Sequence, residues 1–286
     1  MYIPDLTLKN GIKIPAFGFG TYKLNERDEC IASVTEAIKN GYRLIDTAYF
    51  YDNEEFVGEA IERAISSGYA KREELFIVTK IWFDELGYDK AKCACERSLK
   101  ALGLDHLDMM LIHWPADDHA HDDWNEQNLG AWKAMTEFCK EGRFRSIGVA
   151  NFWPEHLEPL LETEIPPALD QIEFHPGYMQ KEVLEYCQEK GIAVEAWSPL
   201  ARGAIFDHPL MVKIAEDHGK SPAQIALRWV YQHGAIAIPK SSSPERMREN
   251  ADIFGFELTV AEMKALDDME ECGFSGHTPK NMERTE

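Results

Sequence analysis

Residues 43–66, RLIDTAYFYDNEEFVGEAIERAIS, form one strand–loop–helix unit whose pattern the rest of the chain repeats. Arg43–Asp46 is a short apolar run that ends on a carboxylate. Asn53 can cap the helix that follows, Glu54 and Glu55 suit the positive end of its dipole, and Gly68 can terminate it. Phe56, Val57, Ala60, Ile61, Ala64 and Ile65 then make a single apolar stripe along Asn53–Ser66.

Working outward, further strand-like runs occur at Ala16–Gly20, Leu75–Thr79, Asp108–His113, Phe144–Val149, Leu169–Glu173, Ala193–Trp197 and Ala235–Ile238, with amphipathic helical stretches between them. Strands that alternate with helices imply a parallel sheet. Doubly wound sheets alternate in the same way, so the count alone does not force the sheet to close. Ahead of the repeats, Leu6–Ile14 alternates apolar and polar residues around Asn10-Gly11, a hairpin signal. No linker or shift in composition divides residues 1–286, and one domain is expected.

The length of 286 residues suits an α/β barrel, which needs ~250. A net charge of -20, from 50 acidic and 30 basic side chains, disfavours nucleic acid or anionic membrane as a partner. Neither a basic-then-apolar leader at Met1–Asp5 nor an apolar run near the ~20 residues that span a bilayer is present, so a soluble cytoplasmic protein is expected. Six scattered cysteines without a CxxC pair read as reduced thiols.

The chemistry collects where strands end. Asp46, Lys80 and His113 close three runs, Asn151 follows a fourth, Gln171 lies in a fifth, and Lys240 follows the last. In a barrel these unlike polar groups converge on the carboxyl-terminal face, where active sites of that architecture lie.

These segments resemble the aldo-keto reductase family along nearly the whole chain, from Phe17-Gly-Phe-Gly-Thr21 to Ile238-Pro-Lys-Ser241 and Arg246. Asp46–Glu54, the strand into Lys80 and Leu111-Ile-His-Trp-Pro115 match the family's catalytic motifs in order and spacing, and the outline is similar to the shorter bacterial members such as diketogluconate reductases. The resemblance implies an α/β fold: a (β/α)8 TIM barrel with an N-terminal hairpin and an additional C-terminal helix and loop. It also implies NADPH-dependent reduction of aldehydes or ketones by a tetrad of Asp46, Tyr51, Lys80 and His113. The residues alone leave Tyr49 and Tyr51 equivalent; the family motif selects Tyr51. A free phenol with pKa ~10 is a poor acid near neutrality, and the Lys80 ammonium is expected to lower that value. Asp46 would hold Lys80, and His113 would orient the substrate carbonyl.

No GxGxxG follows the first strand, so a Rossmann reading is weak. By resemblance, Gly20, Thr21 and Tyr22 border the cofactor, Asn151 and Gln171 bind the nicotinamide carboxamide, and Trp197 stacks on the ring. Ser198, Leu200 and Gly203 would wrap the pyrophosphate. Lys240, Ser241, Ser242 and Arg246 would hold the adenosine 2′-phosphate, with Glu249 and Asn250 near the adenine. A guanidinium fork suits phosphate, which favours NADPH over NADH. Tyr22, Trp82, His113 and Trp114 would wall the substrate pocket, with Phe50 and Trp153 as further candidates. Three positions depart from the family's pattern: Ala150 for a serine, Trp197 for a tyrosine and Asp170 for an asparagine. Strand alternation points Asp170 away from Gln171.

Asp117-Asp-His-Ala-His-Asp-Asp123 resembles a metal cluster but reads as one solvated loop, and no metal is expected. The tail Glu271–Lys280, a segment that helps set substrate choice in the family, leaves the carbonyl substrate open. A monomer is expected. Two other readings compete: a nucleotide-binding regulatory barrel with little turnover, and a hydrolase built on Asp46 and Glu173. The latter leaves Lys80, His113 and the Lys240–Arg246 group without roles.

Overall fold

The computed structural model describes residues 2–119 and 122–282. Strands β1 (Asp5–Thr7) and β2 (Lys13–Pro15) form the antiparallel hairpin. Its turn carries Gly11 at φ 82°, and the Leu8 amide bonds to the Ile12 carbonyl. The connection is thus wider than a two-residue Asn-Gly turn, with the left-handed residue after the bend.

Parallel strands follow: β3 (Gly18–Gly20), β4 (Leu44–Asp46), β5 (Phe76–Ile81), β6 (Leu107–Ile112), β7 (Phe144–Ala150), β8 (Leu169–Glu173), β9 (Ala193–Trp197) and β10 (Ile236–Ala237). Each pairs with the next in chain order, and a parallel bridge from Phe17 to Ala237 joins the two ends into a barrel. The helices are α1 (Arg27–Lys39), α2 (Glu54–Ser66), α3 (Tyr88–Leu102), α4 (Trp124–Lys140), α5 (Pro154–Leu161), α6 (Lys181–Lys190), α7 (Pro209–His218), α8 (Pro222–Gln232), α9 (Pro244–Ala251) and α10 (Val260–Asp267). The last of these and the tail after it are the expected C-terminal additions.

Two apolar cores follow from the alternation of strand side chains. One lies between strands and helices. The other fills the barrel, with Leu44, Val78, Met109, Leu111 and Ile236 packed together and Leu8 and Ile14 of the hairpin sealing the amino-terminal end. Each such side chain contributes ~1.5–3 kcal/mol by burial. Asn10 pins the hairpin through a 2.9 Å bond to Ser146 Oγ.

Asn53 stands just before α2, yet its side chain makes no capping bond. It donates instead to the carbonyls of Thr21 (3.0 Å) and Leu24 (3.2 Å) and accepts from Thr47 Oγ1 (2.7 Å), tying two loops of the barrel's upper face. Glu54 likewise turns inward to accept from Thr79 Oγ1 at 2.6 Å and Ser98 Oγ at 3.2 Å. Tertiary partners outcompete the local cap at both positions.

Gly58 shows how closely the helices pack. A Cβ there would run into the Leu102 carbonyl, 2.8 Å from its carbon. Gly58→Ala, which in an open helix gains up to ~1 kcal/mol, is expected to cost ~1–3 kcal/mol here; a urea midpoint equal to or above wild type would contradict this. Asp170 faces outward from β8 as alternation requires, fully buried near Cys187 Sγ, and burial pushes its carboxyl up to about 8. The folded state therefore keeps a proton that the unfolded chain releases near pH ~4, and stability falls as pH rises through that window. Asp170→Asn should melt higher than wild type at pH 8, with the advantage shrinking towards pH 4. Parallel melting curves across that range would refute the assignment.

Candidate active site

Asp46 ends β4, Lys80 is the next-to-last residue of β5, and both point into the barrel at its carboxyl-terminal end. Lys80 is completely buried and donates to Asp46 Oδ1 and Oδ2 at 2.7 Å each and to the Thr47 carbonyl at 2.9 Å. Tyr51 sits in the short 3-10 turn Tyr49–Tyr51, which drops its phenol back over the mouth, 3.4 Å from Lys80 Nζ. Its neighbour Tyr49 goes the other way, beneath the Arg97 guanidinium at 3.5 Å. The geometry thus separates the two tyrosines that local sequence leaves equivalent.

Burial raises the Asp46 carboxyl above its ordinary value, and the pull of the ammonium offsets only part of that rise. Lys80 loses hydration, but Asp46 and Tyr51 hold it above its ordinary value, so it stays an ammonium. Tyr51 differs from expectation. Burial raises its phenol to about 12, and the opposing pull of Lys80 is too weak to reverse the direction. His113, just beyond β6, is held well below its ordinary value by burial and by Lys80, so its imidazole is neutral and bears a single N–H.

Aromatic rings form the rim. Phe50 stacks on Trp82 at 3.8 Å, Trp82 meets His113 edge-on at 4.9 Å, and Tyr22 lies 5.1 Å from Tyr51. On the other side, Trp114, Trp153 and Trp197 share a cleft with His277 and Pro279 of the tail. Glu173 anchors that tail, accepting from Ser275 N at 3.0 Å and Ser275 Oγ at 2.6 Å. Its role as a strap was not visible in sequence, because Ser275 lies 102 residues away.

The polar wall is already linked to Asp46 and His113. Asn151 donates to the His113 carbonyl at 2.9 Å and accepts from Trp197 Nε1 at 2.8 Å. Gln171 donates to Asp46 Oδ2 at 2.9 Å and to Glu195 Oε2 at 2.5 Å. Both Gln171 N–H groups are used, which leaves its carbonyl oxygen to meet a ligand. Glu195 went unassigned in sequence; a charged residue inside the apolar run Ala193–Trp197 was the available signal.

Farther round the mouth, Ser198, Ala201, Arg202 and Gly203 adopt positive φ of 51°, 47°, 55° and 90°. Such a bent loop, which includes Leu200, turns successive amides to one side and suits an anion. Ser198 Oγ and Thr21 Oγ1 are buried without hydrogen-bond partners, so each has a polar atom to offer a ligand. Gly20 serves closure of the barrel: a Cβ there would lie 2.8 Å from the Ile238 carbonyl oxygen. At the far end, α9 begins under a Ser243 cap that accepts from Arg246 N. Lys240, Ser242, Arg246 and Glu249 are exposed around it, Ser241 and Asn250 are buried, and Lys240 and Arg246 enter no ion pair among the described residues. Free cations beside a helix start suit a phosphate.

The acidic segment after β6 is not wholly solvated. Asp117 is buried and accepts from His156 Nε2 at 3.0 Å, because His156 Nδ1 already accepts from Trp153 N. Asp117, Asp118 and His119 bring potential ligand atoms within 4.8 Å of one another, while His121 lies outside the described residues. Asp117 is bound as the partner of His156, which holds the Trp153 side of the cleft.

Comparison with known proteins agrees with this architecture. The model of the Aldo/keto reductase family matches residues 16–271. A glyoxal reductase of Bacillus subtilis is 46% identical, covering 96% of both chains, and an uncharacterized oxidoreductase of the same organism, YtbE, is 46% identical over 97% of this chain and 96% of its own. The crystal structure of a Bombyx mori aldo-keto reductase in complex with NADP superposes with a TM-score of 0.86 at 37% identity, over 93% of this chain and 92% of that one. The described residues contain no helix long and apolar enough to cross a membrane. With a family match across almost all of its strands and helices, this chain belongs to the aldo/keto reductase family.

Proposed function

We propose that this protein is an NADPH-dependent carbonyl reductase in which Tyr51 donates the proton to the substrate oxygen. The observation that carries this reading is the line from the buried Asp46–Lys80 pair to the half-buried Tyr51, with 2.7 Å and 3.4 Å steps, ending beside a neutral His113 at the mouth of the barrel. NADPH, when bound, supplies the hydride that goes to the carbonyl carbon. The NADP complex of the silkworm relative supports that cofactor.

The residues present fit it. The unpartnered Thr21 and Ser198 hydroxyls, the free carbonyl of Gln171, the indole of Trp197 and the bent loop through Gly203 offer groups for its nicotinamide and pyrophosphate, and Lys240 and Arg246, unpaired among the described residues, offer charge for its 2′-phosphate. Trp197 offers a flat face for the nicotinamide, with its N–H tied to Asn151.

Tyr51, at about 12, is protonated throughout the neutral range. A substrate oxygen gaining negative charge becomes far more basic than a phenolate, so the proton moves from Tyr51 Oη to that oxygen. Lys80 stabilises the phenolate left behind, and Asp46 keeps Lys80 in place. His113 can donate its N–H to the same oxygen without giving up a proton. Trp82, Trp114, Tyr22 and Phe50 exclude water and favour a small, partly apolar aldehyde or ketone. The glyoxal reductase relative makes small dicarbonyls the first substrates to try. We read residues 1–286 as one domain that works as a monomer in the cytoplasm.

Oxidation of NADPH by glyoxal, methylglyoxal, sugars, diketogluconates and aromatic aldehydes tests the activity. Tyr51→Phe should lower kcat by at least ~100-fold with NADPH still bound; near-normal turnover would overturn the role of Tyr51. Binding without oxidation across the panel would favour a regulatory barrel. Arg246→Ala should weaken NADPH binding about tenfold, ~1.4 kcal/mol, and leave NADH affinity nearly unchanged. Equal losses for both cofactors would remove the 2′-phosphate assignment.

A further inference from the structure

We propose that Glu195 is a positioning residue for the proton-donating centre: it fixes Gln171 against Asp46 and, by holding or releasing its own proton, sets how strongly Lys80 acts on Tyr51. This inference rests on the reading of Tyr51 as proton donor.

The geometry is a chain of four groups inside the barrel. Glu195 Oε2 takes one N–H of Gln171 at 2.5 Å, and Asp46 Oδ2 takes the other at 2.9 Å. Asp46 in turn holds both short bonds to Lys80. Gln171 and Glu195 are register partners on adjacent strands, so the sheet itself holds the carboxyl beside the carboxamide. On the opposite flank β10 presents Ile236, which carries no charge. The charged groups that face Glu195 are Asp46 from β4 and Lys80 from β5.

Charge balance decides its protonation. Around Gln171 stand two buried carboxyl groups, Asp46 and Glu195, and one ammonium, Lys80, and His113 adds no charge because it is neutral. Ionising both carboxyls would leave a net negative charge out of reach of water, which is costly. Glu195 Oε1 is moreover buried with no donor, so an anion there would lack half of its hydrogen bonds. Asp46, which alone receives the ammonium directly, keeps the charge. Burial and the Asp46 carboxylate accordingly raise Glu195 to about 8.

The functional consequence follows from sign. When Glu195 releases its proton to solvent base, a second negative charge joins Asp46 around Lys80. The ammonium is then more fully neutralised and stabilises the Tyr51 phenolate less. Tyr51 becomes a weaker acid and proton donation slows. Glu195 thus acts through Lys80 and never touches the substrate.

The test uses two readouts on Glu195→Gln, which keeps the shape and cannot ionise. First, kcat/KM for carbonyl reduction should fall at least threefold between pH 7 and pH 9 in the wild type, and that step should be absent in the variant. The same step in both proteins, or a uniform loss at every pH in the variant, would overturn the proposal. Second, infrared difference spectra of protein without cofactor should show a buried protonated-carboxyl band that disappears between pH 6.5 and pH 9.5. Because Asp170 titrates in the same range, the spectra are recorded in Asp170→Asn. The band should persist there and be missing from the Asp170→Asn/Glu195→Gln double variant. Should the double variant fail to fold, a band already absent from Asp170→Asn at pH 6.5 would sink the idea, and a present one that bleaches on raising the pH would sustain it. The spectra need no turnover, so a protein that reduces no carbonyl yet shows the band would discard the reading of Tyr51 and keep the protonation of Glu195.

Discussion

The ion pair between Lys80 and Asp46 is the constraint around which this barrel is built. A completely buried ammonium is tolerated only when several acceptors replace its water, and here two carboxylate oxygens and the Thr47 carbonyl do so. Those acceptors come from β4 and the residue after it, while Lys80 comes from β5. The pair therefore requires the two strands to end at matching heights, and the parallel register of Asp46 with Val78 supplies that height. Beneath it, Leu44, Val78, Met109, Leu111 and Ile236 pack as a dry floor that keeps water from the pair.

Polar chemistry on this floor spreads sideways rather than downwards. Gln171 links Asp46 to Glu195, Asn151 links the carbonyl of His113 to the indole of Trp197, and Asn53 links the loops after β3 and β4. Each is an amide side chain that donates and accepts at once. An amide can join two elements without adding charge, which suits a barrel mouth where Lys80 is already matched by Asp46.

The rim works by different means. Flat aromatic faces and the tail strapped by Glu173 shape the opening, and Asp117 with His156 supports its Trp153 side. These contacts join segments after β6, in β8 and in the tail, so the opening depends on the tail docking onto the barrel. A change in the tail can alter the entrance while the Asp46–Lys80 floor stays as it is.

Much of this was legible in the sequence, because strands and helices obey short periods. The alternating runs located every barrel strand to within a few residues, and the polar residues that close them marked Asp46, Lys80 and His113. What stayed hidden depends on distance along the chain. Asn53 and Glu54 look like local helix-start residues, and only the folded chain offers Asn53 the Thr21 carbonyl and Glu54 the Ser98 hydroxyl. Tyr51 looks like a phenol acidified by Lys80, yet loss of hydration at the barrel mouth outweighs that charge and leaves it a weaker acid. Glu195 was an unexplained charge in an apolar strand until Gln171 stood beside it. Sequence alone determined the alternating barrel pattern and the residue types at its mouth, since periodicity and side-chain chemistry are properties of neighbours in the chain. Tertiary structure alone decided which acceptor each polar group meets and which acids keep their protons, since hydrogen-bond partners and desolvation are set by residues that become neighbours only when the barrel closes.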